Sequence, residues 1–149
     1  MEAAGYDGLY TFEGPHDPFL PLVLAAEATE DVELMTAVAI AFARNPMTVA
    51  VQGHDLQLLS KGRFHLGLGS QIKAHVERRF SMPWTAPAAR MRELVLAVRA
   101  IWATWNDRVP LRFEGTHFTH TLMTPFFDPG PNPFGPPPIW LGGVGPRMT

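Results

Sequence analysis

Apolar positions follow two spacings along this chain, one typical of helices and one typical of strands. Between residues 88 and 105, apolar side chains recur three or four positions apart, which predicts one long amphipathic helix. Residues 32–42 are almost continuously apolar, as in a parallel strand that is buried on both faces. Residues 63–69 alternate, with Phe64 and His65 on opposite faces, and predict a further strand.

Two other helices are marked by the residues at which they begin. Asp17-Pro18 and Asn45-Pro46 each combine a helix-capping side chain with a proline that suits the first turn. They predict helices over residues 19–28 and 47–60. Gly62 follows the second of these, where helices commonly end in a left-handed residue.

The remaining segments complete an alternation of strands and helices. We predict a strand over 8–12, a short helix over 72–80, a hairpin over 111–122 and a strand over 139–141. Seven prolines make the segment 125–138 an irregular loop. Such an alternation is typical of an α/β fold with a parallel sheet.

Composition narrows the possible classes of function. Hydrophobic residues make up 46% of the chain and charged residues 17%, which is typical of a folded domain. The net charge of −2 gives no electrostatic footprint for nucleic acid, and the absence of cysteine excludes disulfides and thiolate sites. No apolar run is long enough for a membrane helix, and the first residues lack a signal-peptide pattern. We therefore expect a cytoplasmic protein with neither a membrane nor a nucleic-acid partner.

Glycine and small polar residues cluster where two of the predicted strands end, at 67–71 and at 142–146. Ligands bind at this end of parallel strands, and glycine lets the backbone approach a phosphate closely. Tight turns that bind no ligand explain the same glycines equally well. The spacing of Gly67 and Gly69 lacks the third glycine of the dinucleotide fingerprint, which argues against a Rossmann domain.

Few other residues offer chemistry. His117 and His120 would point to opposite faces of a strand, so we expect no metal site. His16 lies in a strand-to-helix turn, where barrel enzymes place reactive groups, although it also fits a simple exposed position. Arg44 ends the long apolar run, and it pairs either with a carboxylate or with a bound phosphate.

Three stretches of sequence resemble one known family. The segments TAVAIAFARNP (36–46), SKGRFHLGLGSQ (60–71) and PPIWLGGVGP (137–146) are similar to the luciferase-like superfamily, and more narrowly to its coenzyme F-420-dependent oxidoreductases. The resemblance implies a (β/α)8 barrel of the TIM type that binds a deazaflavin, or alternatively FMN, at the C-terminal ends of its strands. It also implies hydride transfer between that cofactor and a small organic substrate.

The same resemblance assigns candidate residues. A non-proline cis peptide within a strand bulge is expected at Ala37-Val38, behind the cofactor ring. Contacts with the cofactor are expected from the ends of two other strands, namely from Gly69, Ser70, Gln71, Gly143, Val144 and Gly145. An acidic residue followed by histidine is usual after an earlier strand; here Glu13 is not followed by histidine, and His16 is the candidate replacement. Gln71-Ile72 stands where some relatives have a catalytic glutamate.

A full barrel of this class needs about 250 residues, and this chain has 149. We therefore expect a single partial barrel domain over 1–149, lacking the first and the last three strands, with a hairpin and proline-rich insertion at about 110–138. Exposed barrel edges predict self-association. Two alternatives stay open beside the F-420-dependent enzyme: an FMN-dependent monooxygenase of the same fold, and a non-catalytic fragment or assembly module.

Overall fold

Parallel strands form the centre of the structure, a computed structural model that describes residues 2–143. The strands in chain order are β1 (Gly8–Thr11), β2 (Glu33–Thr36), β3 (Ala39–Ile40), β4 (Phe64–Gly69), β5 (Phe113–Glu114), β6 (Thr119–His120) and β7 (Ile139–Gly142). The helices are α1 (Leu20–Ala28), α2 (Pro46–Leu59), α3 (Lys73–Arg78) and α4 (Pro87–Asp107). Single 3-10 turns lie at Glu2–Ala4, Ala41–Ala43 and Pro125–Phe127.

Four barrel strands lie side by side. β1 pairs with β2, both β2 and β3 pair with one edge of β4, and β7 pairs with the other edge, all in parallel. β2 and β3 are thus two pieces of one barrel strand. The predicted α/β fold with a parallel sheet is confirmed, and the four strands form half of an eight-stranded barrel.

Helices cover one face of this sheet. Leu34, Phe64, Leu66 and Leu68 point toward the helices and are fully buried. Around them, α2 and α4 pack closely because Gly53 leaves room for Trp102: a Cβ at Gly53 would lie 2.9 Å from the Trp102 ring. Most of the fold's apolar burial therefore lies between the sheet and its helices.

The predicted start of α2 is confirmed, whereas that of α1 lies further along the chain. Asn45 accepts a hydrogen bond from the Thr48 N–H at 2.9 Å, as an N-cap does. Asp17 accepts from the Phe19 and Leu20 N–H groups at 2.8 and 3.1 Å, but α1 begins at Leu20 with Phe19 as its N-cap, so that Asp17 and Pro18 precede the cap and first-turn positions predicted for them. None of the helices within residues 2–143 is long and apolar enough to cross a membrane.

Three predicted elements differ from the structure. The strand predicted over 32–42 breaks into β2, β3 and a 3-10 turn, because an apolar run carries no signal for a bulge. The helix predicted over 72–80 is reduced to α3. The hairpin predicted over 111–122 keeps only two short strands, and the Glu93 carboxylate of α4 accepts hydrogen bonds from three backbone N–H groups at its turn.

The insertion between α4 and β7 is held by polar contacts. Asn132 is buried, and its side chain donates to the His54 carbonyl at 3.0 Å. The Asn132 N–H donates to the Asn106 side chain at 2.9 Å. The proline-rich segment is irregular apart from its single 3-10 turn, as predicted.

Candidate active site at the strand ends

The C-terminal ends of the four barrel strands lie together at one end of the sheet. Two backbone hydrogen bonds join the first two ends: the Ala37 N–H donates to Thr11 at 2.6 Å, and the Glu13 N–H donates to Val38 at 3.2 Å. On the other side, Gly69 pairs with Ile40 and with Gly142. The predicted residues at 13, 37–38, 69–71 and 143 therefore lie at the same end of the sheet.

The bond between Ala37 and Val38 is a non-proline cis peptide, as expected. The strand pairing also slips at this point. Met35 lies opposite His65, whereas Ala39 lies opposite Leu68, so that four steps on one strand match three on the other. One extra residue is therefore inserted between β2 and β3, which is a β-bulge.

This cis-bonded pair, which we call the shelf (Ala37 and Val38), is open on one side. Ala37 is exposed and Val38 is half-buried. Gly69 and Gly142 lie beside Val38, where a Cβ on either glycine would come within 3.3 Å of its methyl groups. An accessible surface made of small side chains can pack against the flat face of a ring.

Glu13 is engaged by a cation and by the backbone. Its Oε2 accepts from Arg44 Nη1 at 2.5 Å and from the Ile40 N–H at 2.7 Å. Arg44 also lies 3.4 Å from Asp17 and stacks over the Phe19 ring. Of the two partners considered for Arg44, the structure thus provides carboxylates.

The other candidates follow the strand ends and are exposed or half-buried. His16 is exposed, in the loop between β1 and α1. Ser70 donates to the Gln71 carbonyl at 3.2 Å, and Gln71 adopts a left-handed backbone with φ of 63°. Gly143 is half-buried at the end of β7. Val144 and Gly145 lie outside the described residues.

Sequence reasoning missed Thr36, the residue immediately before the shelf. Thr36 is fully buried, and its hydroxyl both accepts from the Gly67 N–H at 2.9 Å and donates to the Gly67 carbonyl at 2.8 Å. Thr36 is the one hydroxyl-bearing residue of the apolar run 32–42, and that isolation was the available signal. The described residues contain no group of three or more histidine or carboxylate side chains that could hold a metal ion.

Comparison with known proteins supplies the family. The model of the luciferase-like monooxygenase family matches residues 1–149. The chain belongs to this family. A protein of Mycobacterium tuberculosis whose function is uncharacterised is 57% identical over all of this chain, which spans 44% of that relative's length. Another protein of that organism, named provisionally as a coenzyme F-420-dependent oxidoreductase, is 34% identical over 98% of this chain and 44% of its own length.

Solved luciferase-like structures have the same fold. The coenzyme F-420-dependent tetrahydromethanopterin reductase of Methanopyrus kandleri superposes with a TM-score of 0.76 and 21% identity, over 99% of this chain and 45% of that one. The oxygenating component of 3,6-diketocamphane monooxygenase from Pseudomonas putida, solved with FMN, gives a TM-score of 0.77 at 18% identity, over 94% and 43%. Luciferase-like relatives thus include both deazaflavin and flavin enzymes, and this chain corresponds to part of their barrel.

Proposed function

We propose that this chain is the cofactor-binding part of an oxidoreductase that transfers a hydride between coenzyme F-420 and a small organic substrate. The observation that carries the proposal is the meeting of an accessible shelf with glycines from two neighbouring strand ends. The exposed Ala37 leaves one side of the shelf open to the deazaflavin ring, while Gly69 and Gly142 give room to the Val38 side chain. The 34% identical relative named for coenzyme F-420 supports the choice of cofactor.

Each group of candidate residues receives a role in this proposal. Ala37 and Val38 would lie behind the ring, and Gly69, at the end of β4, would contact it together with Ser70 and Gln71, which follow that strand. Gly143, with Val144 and Gly145 after it in the sequence, would hold the phosphate-bearing tail. The cofactor, when bound, supplies the hydride chemistry, and the protein orients it and excludes water.

The proton-handling role is assigned between Glu13 and His16. The Glu13 carboxylate is already held by Arg44 and the Ile40 N–H, which suits it to fix the position of β3. His16 is exposed at the same end of the sheet, and histidine is the side chain that most often transfers protons in catalysis. We therefore assign proton transfer to His16 and positioning to Glu13.

Titration of the chain with coenzyme F-420 and, separately, with FMN tests the choice of cofactor. We expect a saturable change in F-420 fluorescence with a dissociation constant in the micromolar range, and weaker binding of FMN. Ala37→Glu places a charged side chain on the shelf and should weaken binding by about tenfold or more. The matched control is Ala89→Glu, on the exposed face of α4, which should leave binding unchanged.

The second candidate is an FMN-dependent monooxygenase, which the FMN-bound structural relative favours. Tighter binding of FMN than of F-420, with oxygen consumed by the reduced FMN complex, would establish this candidate in place of the first. A folded chain that binds neither cofactor would contradict both enzyme proposals and favour a non-catalytic assembly module.

We also propose that the chain self-associates through its barrel edges. Within residues 2–143, β1 pairs only with β2, and β7 pairs only with β4, so each has one open edge. Open strand edges readily pair with other strands. Sedimentation should give a mass above that of one chain, and a monomer at micromolar concentration would contradict this expectation.

A further inference from the structure

The Thr36 hydroxyl takes the place of backbone pairing where the strand breaks. It accepts from the Gly67 N–H and donates to the Gly67 carbonyl, at 2.9 and 2.8 Å. A hydroxyl has one donor and two acceptor positions, so one side chain can satisfy both groups. Gly67 thereby has its backbone partners at the position where the pairing slips by one residue.

Gly67 also allows β4 to approach the bulge closely. A Cβ at this position would collide with the carbonyl oxygen of Thr36, which is a backbone atom and cannot rotate away. The close approach is therefore possible only for glycine. It fixes β2 against β4 immediately before the shelf.

Val38 is held from two further sides. A Cβ on Gly69 would lie 2.5 Å from Val38 Cγ2, and a Cβ on Gly142 would lie 3.3 Å from Val38 Cγ1. Gly69 and Gly142 are paired residues of β4 and β7. The isopropyl group of Val38 therefore occupies the space that two side chains would otherwise fill, between two neighbouring strands.

We propose that Thr36, Gly67, Gly69 and Gly142 form a socket that positions the shelf for the cofactor. Thr36 and Gly67 fix the strand before the shelf, while Gly69 and Gly142 receive the Val38 side chain. The inference rests on the proposed function, because the positioned surface is the one against which the cofactor ring is placed. A binding surface fixed in advance loses less entropy when its ligand binds.

A double-mutant cycle tests the Val38 half of the socket. Gly69→Ala should displace Val38, raise the dissociation constant for F-420 by about tenfold or more, and lower the melting temperature. In a Val38→Ala background the methyl groups are gone, so the same glycine substitution should have a much smaller effect on both quantities. Gly142→Ala should have a smaller effect than Gly69→Ala, because its Cβ would have more room.

A matched pair of substitutions tests the Thr36 half. Thr36→Val keeps the shape of the side chain but removes the hydroxyl, whereas Thr36→Ser keeps the hydroxyl. We expect Thr36→Val to weaken cofactor binding and to shift the methyl NMR signals of Val38. Thr36→Ser should retain both the binding and the signals of the wild type.

The outcomes separate this inference from the proposed function. Additive effects of Gly69→Ala and Val38→Ala, on binding and on melting temperature, would overturn the role of Val38. Equal losses in the serine and valine variants would overturn the role of the Thr36 hydroxyl. A wild-type chain that binds neither cofactor would overturn the proposed function, and the positioning role with it, while the melting temperatures would still test the packing.

Discussion

The two faces of the barrel sheet differ sharply in burial. On the covered face, against the helices, Leu34, Phe64 and Leu66 have no exposed surface. On the open face (Tyr10, Met35, His65 and Trp140), Tyr10 is 71% exposed and Trp140 is 55% exposed. Tyr10, Met35 and His65 are register partners on neighbouring strands, and the His65 and Trp140 rings stack, so these side chains share one face.

The open face also carries a series of polar contacts between side chains. Trp140 Nε1 donates to His65 Nδ1 at 3.0 Å, and His65 Nε2 lies 3.6 Å from a Glu33 carboxylate oxygen. Such contacts orient side chains without removing apolar surface from water. The comparison therefore indicates that the covered face stabilises the fold, whereas the side chains of the open face contribute little burial within the described residues.

The largest effect is expected on the covered face. Phe64→Ala removes a fully buried ring, leaves a cavity, and should lower the free energy of unfolding by about 3–5 kcal/mol. Chemical denaturation followed by circular dichroism measures this loss.

The matched control lies on the open face. Tyr10→Ala removes a similar ring that is mostly exposed, and should change the free energy of unfolding by about 0.5 kcal/mol at most. Similar losses for both variants would contradict the division of roles between the two faces.

An intermediate effect is expected at the strand ends, for the ion pair of Arg44 and Glu13. Arg44→Met leaves a largely buried carboxylate without its cation, and should cost about 3 kcal/mol of stability. The comparison variant is Arg108→Met, because Arg108 pairs with Asp128 at 2.7 Å but is 60% exposed. It should cost about 1 kcal/mol or less, and equal costs would show that burial does not strengthen the first pair.

The smallest effect is a dependence of stability on pH, which we expect from a buried histidine of α2. Burial lowers the pKa of His54, more than the nearby Asp55 and Asp128 raise it, and its ring packs edge-on against Trp105. The unfolded chain therefore binds a proton more readily, so this stability is fully present above about pH 6.5 and is lost as the pH falls below it. The melting temperature should fall between pH 7.5 and pH 5.5.

Two variants assign this pH dependence. His54→Gln should reduce the fall in melting temperature, whereas His75→Gln, on the exposed surface of α3, should leave the fall unchanged. Part of the fall should persist in His54→Gln because burial also lowers the pKa of His120. An unchanged profile in His54→Gln would contradict the assignment to His54.

The fold was predictable where the pattern of side chains has a single interpretation. The stripe of α4, the cap of α2 and the alternation of β4 all gave elements close to those observed. The break between β2 and β3 could not be found from hydrophobicity, because both of its sides are buried and apolar. The hairpin is shorter than predicted, and Glu93, far away in sequence, supplies its turn with hydrogen bonds.

The candidate site was predictable in part. Family resemblance located the cis peptide at Ala37-Val38, and strand-end logic selected Gly69. The roles of Thr36, Gly67 and Gly142 depend on distances between strands that are far apart in sequence. The pairing of Arg44 with a carboxylate could not be chosen in advance for the same reason, because Glu13 lies 31 positions away in the sequence. No sequence pattern alone contains such distances.

Methyl-resolved NMR of the chain during titration with coenzyme F-420 tests the central claim most directly. We predict that the Ala37 and Val38 methyl signals shift in proportion to saturation, while those of Leu34 and Leu66 on the covered face stay in place. Shifts that instead concentrate on Val109 and Leu111, in the groove between α4 and the insertion, would place the cofactor elsewhere. Saturation without any change at Val38 would contradict the account.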